Sequence, residues 1–203
     1  LILGIPPRYT REEALAFFRR PRWGTLFGLL RPSLEFGADA DPSRKARLET
    51  VHLPYYLIRF GVDSSKGPGT IDVSVEALSG SFALFDMHKN LVEYEPEGEV
   101  FAPRLPEREA AARGQEELVK SILRRRGNRE KPSVGEMESV KIFYYPYWIL
   151  IYPTRKRAYN LFVFDAARGE KAGSRTRVGI LAGLAGSDTA LQARILGKPG
   201  GPG

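Results

Sequence analysis

A ten-residue stretch recurs about ninety positions further on, and a duplicated unit constrains the fold of a chain more than its composition does. Val51-His-Leu-Pro-Tyr-Tyr-Leu-Ile-Arg-Phe60 aligns with Phe143-Tyr-Tyr-Pro-Tyr-Trp-Ile-Leu-Ile-Tyr152. Pro54 then matches Pro146, Tyr55 matches Tyr147, and Tyr56 matches Trp148. A polar turn follows each stretch, Asp63–Gly69 or Pro153–Arg157. A second strand comes next, Thr70–Ala77 or Ala158–Asp165, closed by Ser79-Gly80 or Arg168-Gly169. The offset is 92 at the prolines and 89 at the glycines, so one loop differs by three residues.

A helix is expected before each pair of strands. Thr10-Arg-Glu-Glu13 is a capping-box pattern, with Ala14, Leu15, Phe17 and Phe18 as its apolar face and Pro21 as its stop. The second helix is expected from about Pro106 to Arg126. Leu118, Val119, Ile122 and Leu123 share a face, and Gly127 is placed as a C-cap. Ile142 to Tyr152 is apolar at successive positions, as in a strand buried on both faces. Proline lacks a ladder donor, so Pro54 and Pro146 predict a bulge or a locally exposed edge.

These elements predict an α+β fold of two tandem helix-plus-antiparallel-meander repeats, sharing one sheet or packed as a pseudo-symmetric pair. The first repeat covers residues 1–103 and the second 104–178. A tail at 179–203 is expected to hold a short helix near 187–197. Leu161-Phe-Val-Phe-Asp165-Ala-Ala-Arg-Gly169 resembles the strand ending in Asp-Ala-x-x-Gly of PepSY-type and cystatin-like units. The first repeat keeps Ala77-Leu-Ser-Gly80 and carries Glu76 in place of the aspartate. That resemblance implies a protein-binding or inhibitory module, often outside the cytoplasm, and no set of catalytic residues.

The chain holds no cysteine, which removes disulfides, thiol catalysis and Cys-based metal sites. Of its two histidines, His52 and His88, neither has a second ligand at helical or strand spacing. Walker, dinucleotide, EF-hand and nucleophile-elbow patterns are absent, so no catalytic residue, cofactor or metal is expected. The acidic alternation Glu93, Glu95, Glu97 and Glu99 reads as a solvated linker. No apolar run reaches the ~18–20 residues of a membrane helix, which leaves a soluble or membrane-peripheral chain of unspecified compartment. It begins at Leu1 without methionine or a signal pattern, and a removed upstream segment is expected.

The net charge of +7 is unevenly spread: residues 51–103 carry −5 and residues 140–203 carry +7. Two surfaces follow from that distribution. An anion-binding set is expected at Arg124, Arg125 and Arg126 together with the hairpin tip Arg155, Lys156 and Arg157. A partner-docking set is expected at Arg20, Arg22, Trp23, Phe27 and Arg31, where arginines interleave with aromatics as at protein contacts and membrane interfaces. The leading function is a non-catalytic protein-interaction module, an accessory subunit whose partners are other protein subunits. The alternatives are a binder of nucleic acid or of an anionic membrane surface, and a cystatin-like cup with a ligand or hydrolytic pocket between helix and sheet.

Overall fold

The fold was obtained as a computed structural model, and it describes residues 1–19, 46–124, 131–153 and 159–185. Among the described residues nine strands form one mixed sheet with helices on its faces, an α+β architecture. In chain order the elements are β1 (Ile2–Gly4), α1 (Arg11–Arg19), β2 (Arg47–Ser64), β3 (Gly67–Glu76), β4 (Phe82–Leu84), β5 (Val92–Tyr94), β6 (Glu99–Val100), α2 (Glu107–Arg124), β7 (Ser133–Pro153), β8 (Tyr159–Asp165), β9 (Glu170–Lys171) and α3 (Ser174–Ala185). The sheet order is β4-β3-β2-β7-β1-β5, with β6 beside β2, β8 beside β7 and β9 beside β8.

The two aligned stretches are the paired centre of this sheet. β2 runs antiparallel to β7, with Leu53 opposite Tyr145 and Pro54 opposite Tyr144. Alternate residues of each strand face opposite sides of the sheet. Tyr56, Ile58 and Phe60 of β2 pack with Ala110, Leu118 and Ile122 of α2. On the neighbouring strands Leu150 and Phe164 pack with Ala14 of α1. Val51, Leu53, Tyr145, Tyr147 and Ile149 line the other face, where Ile180 of α3 is fully buried. The capping box closes as expected: Glu13 accepts from the Thr10 amide at 2.8 Å, and Thr10 Oγ1 accepts from the Glu13 amide at 3.3 Å.

The prolines sit in neither a bulge nor an open edge. Pairing of β2 with β7 runs unbroken through both, and its irregularity lies at Arg59–Val62. Each proline falls where one outer neighbour gives way to another: Pro54 between β6 and β3, and Pro146 between β1 and β8. No ladder donor is required at such a junction, which reconciles proline with a central strand. Its carbonyl is still used. Ala77 N donates to Pro54 O at 2.8 Å, and Ala166 N to Pro146 O at 3.3 Å.

Other bonds also occur twice. Phe101 N donates to His52 O at 3.1 Å, and Ile5 N to Tyr144 O at 3.0 Å. The Ala77 carbonyl accepts from Arg104 and Leu105, as the Ala166 carbonyl does from Arg8 and Tyr9. Tyr56 Oη donates to Leu105 O at 3.0 Å, and Trp148 Nε1 to Tyr9 O at 2.8 Å. Three features depart from the sequence reading. The acidic run expected as a linker contributes β5, antiparallel to β1, and β6, parallel to β2. A short strand precedes each helix. Helix α3 crosses residue 178, and Arg104 donates to its Ala182 and Gly183 carbonyls at 2.8 and 3.3 Å.

Candidate functional site

The largest group of perturbed side chains lies where β2 and β7 meet on the α3 face. Alignment of Tyr55 with Tyr147 places both phenols on that face, and their hydroxyls share a hydrogen bond of 3.0 Å. Thr176 of α3 adds a side-chain bond to Tyr147. Burial pushes both phenols well above their ordinary pKa, so they stay protonated across the physiological range. Tyr145 is raised too, by burial and then by the neighbouring Asp165.

Asp165 ends β8 and is almost fully buried. Its oxygens accept from Tyr145 Oη at 2.9 and 3.0 Å, from Ala167 N at 3.0 Å and from Arg168 N at 2.8 Å. Burial raises its pKa, and the bonds from Arg168, Tyr145 and Ala167 act in the opposite direction. Glu76, at the end of β3, binds its own turn similarly, accepting from Leu78 N at 2.6 Å and Ser79 N at 2.8 Å. Each turn closes with a glycine at positive φ, Gly80 at 74° and Gly169 at 78°, a region where side chains other than glycine are disfavoured. The carboxylate-Ala-x-x-Gly pattern is therefore a turn: the acid caps two amides, the alanine packs, and the glycine reverses the chain. A cleft of about 300 Å³ opens above Asp165, walled by Tyr55, Phe143 and Phe85, with Arg168 and Lys171 at its mouth.

Sequence alone does not mark the seam tyrosines as a site. Their signal was present in the aligned Tyr55 and Tyr147, but alignment alone does not show that two matched residues touch. The docking set Arg20, Arg22, Trp23, Phe27 and Arg31 lies outside the described residues, as do Arg125, Arg126, Arg155, Lys156 and Arg157. Arg124 is described, and it is exposed in the last turn of α2. His52 is fully buried, with Nε2 3.0 Å from the Glu97 carbonyl and Nδ1 3.0 Å from Tyr94 Oη. It is a satisfied core histidine.

A second feature is open backbone. β7 pairs with β2 from Ser133 to Ile151, but its other side meets β1 only at Tyr144 and β8 only from Tyr147 onward. Among the described residues, 133–141 has no strand on its outer side. Positions 135–139 are exposed one after another, so this end of the strand projects beyond the core. No described helix is long and apolar enough to cross a membrane, and no group of three metal-ligating side chains occurs among the described residues. Comparison with protein-family models, with curated proteins and with solved structures finds no match for this chain.

Proposed function

We propose that this chain is a non-catalytic protein-interaction module, an accessory subunit built from two copies of one α+β unit about a pseudo-twofold axis through the Leu53–Tyr145 pair. The open outer edge of β7 over residues 133–141 carries the reading. A row of unpaired amides and carbonyls is best satisfied by another extended backbone, which adds as a further strand. Tyr144 directs its carbonyl away from β2, toward Ile5. Strand alternation gives Val140 and Ile142 the same direction. Glu136 and Glu138 on this segment are the charges that keep open edges from pairing indiscriminately.

Two further observations support the same reading. The polar groups at the seam are already engaged: Asp165 accepts from one hydroxyl and two amides, and its neighbouring phenols stay protonated. Such groups are poorly placed for proton transfer near neutral pH. The bonds that occur twice, at Pro54 and Pro146 and at the two turns, support the duplicated unit. The resemblance of Asp165–Gly169 to PepSY-type and cystatin-like units points the same way.

A proline at Val140 tests the edge. It removes an outward amide but no bond to β2, so stability should change by about 1 kcal/mol or less. Partners captured from the native source should be lost with Val140→Pro and kept with Val140→Thr. Amide exchange along 133–141 should slow when the partner binds. Retention of every partner by the stably folded proline variant would sink the edge reading.

A further inference from the structure

We propose that a second cleft, between α2 and the outer strands, binds a small amphiphilic monocarboxylate with its hydrocarbon inward and its acid at the rim. The cleft measures about 450 Å³, and clefts of a few hundred Å³ with apolar floors and few polar groups are the usual form of small-molecule sites. Its floor is made by Leu118 and Ile122 of α2 facing Ile71 of β3 and Phe85. At the lip Leu84 is 43% exposed, apolar surface that a hydrocarbon chain would cover.

The rim carries the charge argument. Arg59 donates from Nε and Nη2 to the two oxygens of Asp72, each at 2.9 Å. A planar fork on a carboxylate is the strong form of ion pair, and it neutralises Asp72. His88 Nε2 lies 3.0 Å from Asp72 Oδ2, and its ring stands edge-on to Phe85 at 4.8 Å. Asp72 therefore accepts from Nε2 and holds the imidazole at the rim of the cleft. Lys131 donates one proton to the Leu123 carbonyl near the end of α2, and an ammonium has two more to give. Ser121 and Thr70 add hydroxyls. With Asp72 already paired to Arg59, the charge left at this rim is cationic. An acid group can accept from Lys131 and from both hydroxyls, whereas an ammonium would meet a like charge.

The test titrates the full chain with octanoate, following amide and imidazole resonances by NMR, beside octylamine, which has the same tail and the opposite charge. Saturable octanoate binding is expected, with shifts at Ile71, Leu118 and His88, and no saturable response to octylamine. Lys131→Met should weaken octanoate about fivefold or more. The methionine keeps the unbranched apolar stem of the lysine, so an unchanged melting temperature separates lost binding from lost fold. The proposal is overturned by no saturation by octanoate, by equal binding of octylamine, or by a Lys131→Met protein that binds as the parent does. Binding to phosphatidylglycerol vesicles without a response to octanoate also overturns it, because the cations would then serve a lipid surface. The cleft shares no residue with the β7 edge, so its failure leaves the strand-addition reading untouched.

Discussion

The turn after β3 and the turn after β8 have one backbone frame and two environments. Glu76 and Asp165 each cap two following amides, and each turn closes on a glycine that donates to the carbonyl of its acid at 2.9 Å. Over Glu76, however, lies α3: a Cβ on Gly179 would stand 2.8 Å from its carboxylate. Over Asp165 lies an open cleft with Tyr145 as the added donor. The position matching Tyr145 is Leu53, which cannot reach an acid. Local sequence fixes the frame of such a turn, and what packs above it decides which acid a solvent molecule or ligand can approach.

The largest difference between the turns should come from their glycines. Alanine at Gly80 or Gly169 meets the same backbone penalty, about 1–2 kcal/mol for the left-handed region. At Gly80 the new Cβ meets the guanidinium of Arg113, a flexible side chain with 44% exposure that can swing aside. At Gly169 it meets the ring of Tyr9, which packs edge-on against Phe164 at 5.7 Å. Overpacking there adds roughly 1–3 kcal/mol. Chemical denaturation should rank Gly169→Ala well below Gly80→Ala. Equal losses would mean that the Tyr9 ring yields as easily as an arginine.

The carboxylates should give a smaller difference in the opposite direction. Glu76→Ala leaves the amides of Leu78 and Ser79 without an acceptor beneath α3, where water has little access. About 2–3 kcal/mol is expected for such orphaned donors. Asp165→Ala orphans Tyr145 Oη and two amides, but at the floor of an open cleft where water can replace the lost oxygens. About 1 kcal/mol is expected. If urea melts show Asp165→Ala to be the costlier change, the cleft is closed to water and the contrast between the turns collapses.

Much of this frame could be read from residue patterns because it is set by local chemistry. Thr10 and Glu13 announce their own helix, and Gly80 and Gly169 announce their turns. The hydrophobic runs at Val51–Phe60 and Phe143–Tyr152 are strands as expected. What escaped was contact between distant segments. Pro54 and Pro146 looked like defects in a strand, because sequence does not say which neighbour sits on each side. Asp72 and His88, sixteen positions apart with no motif between them, meet only because β3 and the turn before β5 come together. The acidic run Glu93–Glu99 was hidden for a similar reason. Short strands of two or three residues take their stability from the partner backbone and leave little periodicity of their own.

His52 offers the last and smallest contrast, since Tyr144 occupies the matched place with a group that does not titrate near neutrality. The Glu97 carbonyl can only accept, so His52 Nε2 carries the proton and Nδ1 accepts from Tyr94. Burial lowers the His52 pKa from 6.5, with the bond to Glu97 partly opposing it. Burial also pushes Tyr94 up to about 12, so this hydroxyl keeps its proton throughout. The ionisable groups of the stretch packed against it, Glu93, Tyr94, Glu95, Glu97 and Glu99, include no cation. Below pH 6.5 the unfolded chain takes up a proton that the folded chain resists. The stability contributed by neutral His52 is therefore complete above that pH and is lost as the pH falls toward the lowered folded value. Urea midpoints at pH 7.5 and 5.5 should differ more in the parent than in His52→Gln, with His88 and every carboxylate common to both. An identical pH dependence in the two proteins would show that the ring accepts its second proton at no cost. Tyr94 would then have turned its own proton to the Ile5 carbonyl, 3.2 Å away.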